Sequence, residues 1–402
     1  MQEQALQKTE LVNIFKTQIR PSSWIFAFYI MLMPVSTALA DLFIGPSIMT
    51  ICAGLYIIVS LFEIVFIYKR LEADHNLLPV YAYFLFTMLS CLWNAYFDAD
   101  WYFGQFAVTT AIVFCITVTR TSEKEIKLFK IAMYLSILIA VISTLMNLPK
   151  PGKRLMIWIT SYMDPNDFAC GLAIVVSLFL VELTNKKRII LNLICIACVG
   201  VIILMSGSRG GLLTLGCIVI VWLFNLKGSV RLKLLLALFA VAAIILFCAE
   251  NGIGPKVLAR FSISRLIADG GAGRKQIWEA GIAKFLSSDP LHVIFGYGHG
   301  SYTSAVRYVA IGHGAPYIAH NMFINALLEG GLLGLGLMVT CFAALYRYAA
   351  KNKNLFGILA LTGFIAEGLT LDAQVYRTFA FAVAMAVIWH MHNKENKPDE
   401  IR

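Results

Sequence analysis

The chain has 402 residues, of which 59% are hydrophobic and only 14% are charged. A water-soluble globular domain is excluded, because such domains carry about 25% charged residues. The formal net charge of +10 is an excess that often marks nucleic-acid binding, but here the basic residues lie in short loops between apolar runs, where they indicate membrane topology. We therefore predict an integral membrane protein whose partner is the lipid bilayer and not a nucleic acid.

Twelve apolar runs are long enough to cross ~30 Å of hydrocarbon, and they predict an all-α polytopic membrane protein with about 12 transmembrane helices. In chain order the runs lie at residues 22–40, 43–68, 78–97, 101–119, 128–148, 166–184, 189–206, 211–226, 231–249, 318–346, 354–371 and 376–391. The run at 318–346 is too long for one straight crossing, so we expect it to be tilted at its start or broken near Gly330–Gly331. No internal repeat or second soluble domain is evident, and residues 1–402 are predicted to form a single membrane domain.

The charges in the loops predict the orientation of the chain. If the N-terminus is cytoplasmic, 21 of the 33 lysines and arginines fall in inner loops or at the termini, and every short inner loop is basic. Basic residues are retained on the cytoplasmic side of a membrane. We therefore predict that the protein is multi-pass and that both termini are cytoplasmic.

One outer segment is unusually long: residues 250–317 connect the ninth and tenth predicted spans. Loops of this length usually have a function. Within it, the sequence GRKQIWEAGIAKFLSS places apolar residues on one helical stripe, namely Ile277, Trp278, Gly281, Ile282 and Phe285. We predict an amphipathic helix that lies on the membrane or over a cavity.

Polar residues collect at the outer ends of the predicted spans. Ionisable residues in or near a span are costly, so they are candidates for function. They include Arg209 between spans seven and eight, His320, Asn321, Asn325 and Glu329 at the start of span ten, and Glu367, Asp372 and Arg377 at the ends of spans eleven and twelve. Asn321, Asn325 and Glu329 are spaced i, i+4, i+8 and share one helix face. The pattern predicts a polar pocket at the outer boundary of the membrane, covered by the long loop.

The sequence SGSRGG around Arg209 suggests an anion site. Two glycines after Arg209 allow close backbone approach and free amide groups at the start of a helix, which favour an anion. The guanidinium adds a fork that matches phosphate oxygens. The alternative is a tight glycine turn with an arginine that reaches the lipid headgroups. Lys150, Lys153 and Arg154 are further candidates for attracting lipid phosphate.

His320 is a candidate general base, because an imidazole accepts a proton near neutral pH. Its alternative role is capping or helix packing. Glu329 is either a helix-packing carboxylate or a group that, like Asn321, orients His320. The sequence MDPNDF at 163–168 predicts a helix cap at Asp164 or Asn166, with a ligand role as the alternative.

Two other motifs carry little chemistry. Four histidines, His292, His299, His313 and His320, lie in or beside the long loop, but their spacing is wide and no cysteine or carboxylate pair accompanies them, so we predict no metal site. The sequence GYGHGS at 296–301 imitates a dinucleotide-binding motif without the preceding strand, and we interpret it as a flexible loop turn.

The motifs SGSRGG, GRKQIW, FGYGHGSY and HNMFINALLEGGLLG, in this order and all on the outer side, resemble the O-antigen ligase and O-antigen polymerase superfamily. The resemblance covers roughly residues 160–340. It implies an integral-membrane glycosyltransferase of the bacterial cytoplasmic (inner) membrane that uses an undecaprenyl-diphosphate-linked glycan as donor at the outer face. It also implies no cofactor and no required metal, and other polysaccharide-assembly proteins as further partners.

The resemblance also assigns roles to residues. Arg209 matches the arginine that binds the donor diphosphate, His320 matches the catalytic histidine of the HN motif, and Arg265 and Arg274 match loop arginines that face the donor. We expect His320 and Arg209 to be catalytic, the transfer to invert the anomeric carbon, and Asn321 and Glu329 to support the site.

The acceptor divides the superfamily. A polymerase extends a surface polysaccharide (O-antigen, capsule or exopolysaccharide) with another glycan as acceptor, whereas a ligase transfers the glycan to lipid A-core or another acceptor. We favour the polymerase. A flippase for lipid-linked sugars is the alternative from another class, but it needs polar residues along a central path, and here the charges gather at one face. A non-catalytic assembly partner is a further alternative.

Overall fold

The computed structural model describes residues 19–41, 47–68, 73–94, 100–119, 121–271, 273–306, 318–375 and 377–395. Sixteen α-helices are found in this part of the chain: α1 Pro21–Leu32, α2 Ile48–Phe62, α3 Leu78–Ser90, α4 Asp100–Thr117, α5 Glu123–Met146, α6 Pro165–Thr184, α7 Ile189–Ser206, α8 Arg209–Phe224, α9 Gly228–Glu250, α10 Ile263–Ala268, α11 Arg274–Leu286, α12 Pro290–Phe295, α13 Tyr302–Ala305, α14 Met322–Lys351, α15 Leu355–Gly368 and α16 Arg377–Glu395. The prediction of an all-helical membrane protein is confirmed in its class.

A two-residue hairpin was not predicted. Ile157–Trp158 pairs antiparallel with Tyr162–Met163, just before α6. Each strand has only two residues, which is too short to show a strand pattern in the sequence. It is fixed to the end of the first helical segment, because the backbone N–H of Thr160 donates to the carbonyl of Ala38 at 3.0 Å.

The number of crossings is only partly confirmed. Seven helical segments of the described chain are long and apolar enough to span a membrane: Ile48–Ile67, His75–Trp93, Glu123–Met146, Pro165–Thr184, Ile189–Ser206, Gly228–Glu250 and Met322–Lys351. The other five predicted spans correspond to shorter apolar helices, Pro21–Val35, Phe103–Thr117, Arg209–Phe224, Leu355–Gly368 and Arg377–Ile388. Helices of 10–17 residues rise by at most about 25 Å, less than the ~30 Å of hydrocarbon. Whether these five cross therefore stays a prediction.

The predicted orientation rests in part on undescribed residues. The basic residues of segments 1–18 and 396–402 lie outside the described chain, as do Lys69, Arg70 and Arg120. The cytoplasmic placement of both termini thus stays a prediction.

Helix α6 forms the centre of the bundle. It packs against α7, α8 and α15, and most of its side chains are buried. Small residues permit this packing: a Cβ on Gly211 of α8 would lie 2.5 Å from the Cβ of Ala169 in α6. Close approach of this kind is typical of helices that pack by van der Waals contact inside a membrane. The N-termini of α6 and α8 are therefore held side by side, which matters for the site.

Helix α14 breaks where the sequence predicts. Gly331 has φ 64° and ψ −163°, which are not helical values. A break removes intrahelical donors from the carbonyl groups of the preceding turn. The carbonyls of Leu328 and Glu329 are bonded by the loop instead: the N–H groups of Tyr297 and Gly298 donate to them at 3.0 and 2.8 Å. The long loop is thus fastened to the helix at the break.

Because Gly331 occupies a backbone region that essentially only glycine adopts, we expect Gly331→Ala to be strongly destabilising. An added Cβ would also overlap the carbonyl oxygen of Ile294 in α12. We expect a loss of about 2–4 kcal/mol in the free energy of unfolding, seen as a lower thermal unfolding midpoint in detergent. Gly336→Ala is the matched control, because nothing lies within 4 Å of its added methyl group. Equal unfolding midpoints for the two variants would contradict the assignment of the break.

The predicted amphipathic helix is present as α11, but its buried face differs. Ile277 and Gly281 are buried as expected, together with Ala280, whereas Ile282 is exposed. The buried residues face α14, because α11 packs against the start of that helix. The prediction used apolarity alone, and the small Ala280 was not counted as an anchoring residue.

Candidate functional site

Arg209 begins α8 and is fixed by two partners from the long loop. Its Nε donates to the carbonyl of Arg260 at 2.6 Å, and its Nη1 lies 3.0 and 3.1 Å from the two carboxylate oxygens of Asp269. The side chain is 21% exposed and that of Asp269 is 34% exposed. The remaining nitrogen, Nη2, is buried and has no hydrogen-bond partner within the described residues. Two nitrogens of the Arg209 guanidinium are thus bonded to the loop, and Nη2 has no partner among the described residues.

Other arginines surround Arg209. Arg260 donates from Nε to the carbonyl of Gly207 at 3.1 Å, and Arg154 donates from Nε to the carbonyl of Ser206 at 2.7 Å. The pKa of Arg260 is lowered, first by burial and then by the positive charges of Arg154, Arg209 and Arg265, while Asp269 opposes the shift. A pKa lowered by neighbouring cations is a sign of charge excess. The cluster therefore favours an anion.

The first turn of α8 does not offer its amides in the way that the sequence suggests. Ser208 caps the helix, because its hydroxyl accepts from the N–H of Gly211 at 3.0 Å and donates to Asn166 at 3.0 Å. A Cβ on Gly210 would lie 2.6 Å from the hydroxyl of Thr370. The two glycines thus serve helix packing, and the amide of Gly211 is already bonded by the cap. Asp164 is the predicted cap of α6 and accepts from the N–H of Asn166 at 2.7 Å.

His320 lies directly before α14 in a left-handed backbone conformation, with φ 49°. It is half-buried, and its Nδ1 is buried with no hydrogen-bond partner in the described part of the chain. Burial lowers the pKa of the imidazole, and the positive charge of Arg274 lowers it further, while Asp164 opposes both. The lowered pKa favours the neutral form of His320, which is the form that accepts a proton.

Asp269 and Gly273 link Arg209 to Arg274. The N–H of Gly273 donates to the carbonyl of Asp269 at 2.9 Å. Asp269 pairs with Arg209, and Arg274, directly after Gly273, acts on His320. The two predicted catalytic residues are thus connected through one short segment of the long loop.

The predicted polar face of α14 exists and faces the connection between α15 and α16. Asn321 caps α14 and donates from Nδ2 to the carbonyl of Leu369 at 3.3 Å, and Asn325 donates to Asp372 at 3.3 Å. One turn further on, Glu329 accepts from Gln374 at 3.4 Å. Asn321 therefore fixes the backbone at the start of α14, next to His320.

Glu329 does not serve His320 as predicted, since its carboxylate bonds His299 at 3.0 Å. His299 belongs to the GYGHGS sequence and is 1% exposed, and its backbone N–H donates to the hydroxyl oxygen of Ser90 at 3.1 Å. The interpretation of this sequence as a flexible turn is therefore wrong. The loop is packed between α3 and α14, and Glu329 holds it there.

Of the two loop arginines, Arg274 lies near His320, whereas Arg265 is exposed on α10 at the edge of the arginine cluster. The residues that the sequence did not single out are Arg260 and Asp269. No motif marks them, because charged residues are ordinary in an outer loop. Their role is visible only from the contacts across 51 and 60 residues of chain.

No group of three or more His, Cys, Asp or Glu side chains in the described residues is arranged to hold a metal ion. His313, one of the four histidines considered for such a site, lies outside the described residues.

The candidate site thus combines a cluster of arginines around Arg209 with a histidine, His320, whose pKa is lowered. In a comparison with known families, residues 193–339 match the family model of O-antigen ligase. This region contains Arg209, the long loop and the start of α14, and the match supports the resemblance to the O-antigen ligase and O-antigen polymerase superfamily, whose members are glycosyltransferase-like enzymes. No curated protein matches the chain.

Proposed function

We propose that the protein transfers a glycan from undecaprenyl diphosphate to a sugar hydroxyl at the outer face of the bacterial cytoplasmic membrane. The observation that carries this proposal is the arginine cluster of Arg154, Arg209 and Arg260, linked through Asp269 and Gly273 to His320. A lipid diphosphate supplies the negative charge that such a cluster favours. It is also a good leaving group, so no nucleotide and no metal is needed to activate the sugar.

In the proposed reaction the acceptor oxygen attacks the anomeric carbon as the bond from that carbon to the diphosphate oxygen breaks. The bonding electrons leave with undecaprenyl diphosphate, and the hydroxyl proton passes to His320. A single displacement inverts the anomeric carbon. The arginines stabilise the negative charge that develops on the leaving diphosphate. The unpartnered Nη2 of Arg209 and Nδ1 of His320 are the donor and the acceptor that these two roles require.

Two acceptors are compatible with the proposed reaction. We favour polymerisation, in which the growing glycan is joined to another lipid-linked repeat unit of a surface polysaccharide. The description of the matching family, O-antigen ligase, supports the second candidate, transfer to lipid A-core or another acceptor. Both reactions use the same donor site.

Deletion of the gene in its own host separates the two. Surface glycans and lipid-linked precursors are run on one gel, with the wild-type gene and an Arg209→Ala gene returned to the deletion strain. Accumulation of single repeat units on lipid, relieved only by the wild type, indicates a polymerase. Accumulation of full-length polymer on lipid with bare acceptor indicates a ligase. Full rescue by Arg209→Ala would contradict both. In vitro, release of undecaprenyl diphosphate from a lipid-linked oligosaccharide distinguishes either enzyme from a flippase.

The charges around His320 predict how activity depends on pH. Arg274 lowers the pKa of His320 and Asp164 raises it. A general base loses activity when it is protonated, so Arg274→Gln is expected to move the acid limb of the kcat/KM profile to higher pH, and Asp164→Asn to lower pH. Asparagine retains the helix cap at position 164.

Lys275→Gln is the control for this pair. Lys275 is adjacent to Arg274 but exposed, with Glu279 as its ion-pair partner at 3.8 Å, so its charge is screened by solvent. Its profile is expected to match the wild type. Shifts of the same sign for Arg274→Gln and Asp164→Asn would rule out His320 as the group that titrates.

A further inference from the structure

Asp269 lies where the proposed diphosphate site would receive its ligand. Its two oxygens are 3.0 and 3.1 Å from Nη1 of Arg209, and its charge also acts on Arg260. A carboxylate binds a guanidinium in the same way as a phosphate group does, through charge-assisted hydrogen bonds. The ion pair therefore engages the guanidinium that the donor needs.

The pair has the properties of a contact that can be exchanged. Both side chains are partly exposed, and ion pairs of that kind contribute little to stability. Asp269 follows α10 at its C-terminus and precedes Gly270, Gly271 and Gly273, all of which have positive φ. Glycines allow the backbone several conformations at low cost. The carboxylate is thus carried by a glycine-rich segment after the end of α10 and not by a helix.

The neighbouring contacts are of a different kind. The bond from Nε of Arg209 to the carbonyl of Arg260 uses the other edge of the guanidinium. Arg260 itself is tied to Gly207, against which its side chain packs closely. Removal of Asp269 from Nη1 therefore leaves the Nε bond of Arg209 in place and frees Nη1 for a ligand.

We propose that Asp269 is an internal competitor of the lipid diphosphate: it pairs with Arg209 between turnovers, yields it to the donor, and regains it as the product leaves. The inference rests on the proposed function. Donor and product carry the same diphosphate, so a site of arginines alone would retain undecaprenyl diphosphate after transfer. A competing carboxylate weakens the binding of the donor and of undecaprenyl diphosphate, and so favours release of the product.

The test measures binding of inorganic pyrophosphate to the full-length protein in detergent by calorimetry. Asp269→Asn is expected to bind pyrophosphate about two- to fivefold more tightly than the wild type, as loss of a partly exposed ion pair implies. Inhibition by undecaprenyl diphosphate is expected to increase by a similar factor. Glu279→Gln is the matched control, because it removes one exposed negative charge from the same loop and is expected to bind as the wild type does.

Asp269→Glu distinguishes charge from packing, because it keeps the carboxylate. Its affinity is expected to stay near that of the wild type, and an increase equal to that of Asp269→Asn would overturn the proposal. So would unchanged or weaker binding by Asp269→Asn. If Arg209→Ala abolishes binding while Asp269→Asn binds as the wild type does, the diphosphate site stands and only the competitor role is wrong. If Arg209→Ala binds like the wild type, or the wild type does not bind, the proposed site is wrong as well.

Discussion

Arg209→Ala is expected to lower kcat/KM for transfer from a lipid-linked oligosaccharide by about 10²–10³, the usual effect of removing one preorganised donor to developing negative charge. The structure gives the reason: Nη2 has no partner within the described residues, and the other nitrogens fix its direction. Arg209→Lys is expected to recover only part of the activity. An ammonium group keeps the charge but cannot bond Arg260 and Asp269 in the same planar geometry.

Lys275→Ala serves as the control for charge, because it removes an exposed cation from the same loop and should leave the rate close to that of the wild type. Membrane vesicles with equal amounts of each variant would be compared by release of undecaprenyl diphosphate. Activity above about a tenth of wild type in a folded Arg209→Ala protein would remove Arg209 from the donor site.

The second large effect is expected for His320→Asn, which should lower kcat by about 10²–10⁴ through loss of the general base. Asparagine is the appropriate replacement because position 320 has φ 49°, a left-handed conformation that asparagine tolerates well. Alanine would add backbone strain of about 1–2 kcal/mol and so mix a folding defect with a catalytic one.

The thermal unfolding midpoint of His320→Asn should equal that of the wild type, while turnover is lost. The binding of pyrophosphate should also be retained, since His320 is assigned to the acceptor and not to the diphosphate. A His320→Asn protein with a kcat within tenfold of the wild type would show that another group takes the proton.

The sequence alone singles out the most conspicuous residues of the candidate site. Arg209 and His320 are polar residues beside long apolar runs, and such residues are rare enough to be recognised one by one. The break in α14 was predictable because a 29-residue apolar run exceeds the membrane thickness and contains two adjacent glycines. These inferences depend only on local composition, which can be read in full from a single sequence.

The partners of those residues could not be predicted in this way. Asp269 and Arg260 are charged residues in a loop, where charge is ordinary, and they meet Arg209 only in the folded chain. The flexible turn predicted around His299 is wrong for a related reason. Its loop is glycine-rich, but those glycines pack against the carbonyls released by the break at Gly331, and burial of the histidine follows from that contact.

The attachment of the loop to the break in α14 has a consequence for exchanging parts between related proteins. The amides of Tyr297 and Gly298 complete the hydrogen bonding of α14, and Glu329 in turn fixes His299. The loop and the part of α14 before the break therefore form one structural unit, and this unit ends after Gly331. A chimaera that takes a relative's outer loop without the helical turn it completes would combine two incompatible halves of a single hydrogen-bonded unit.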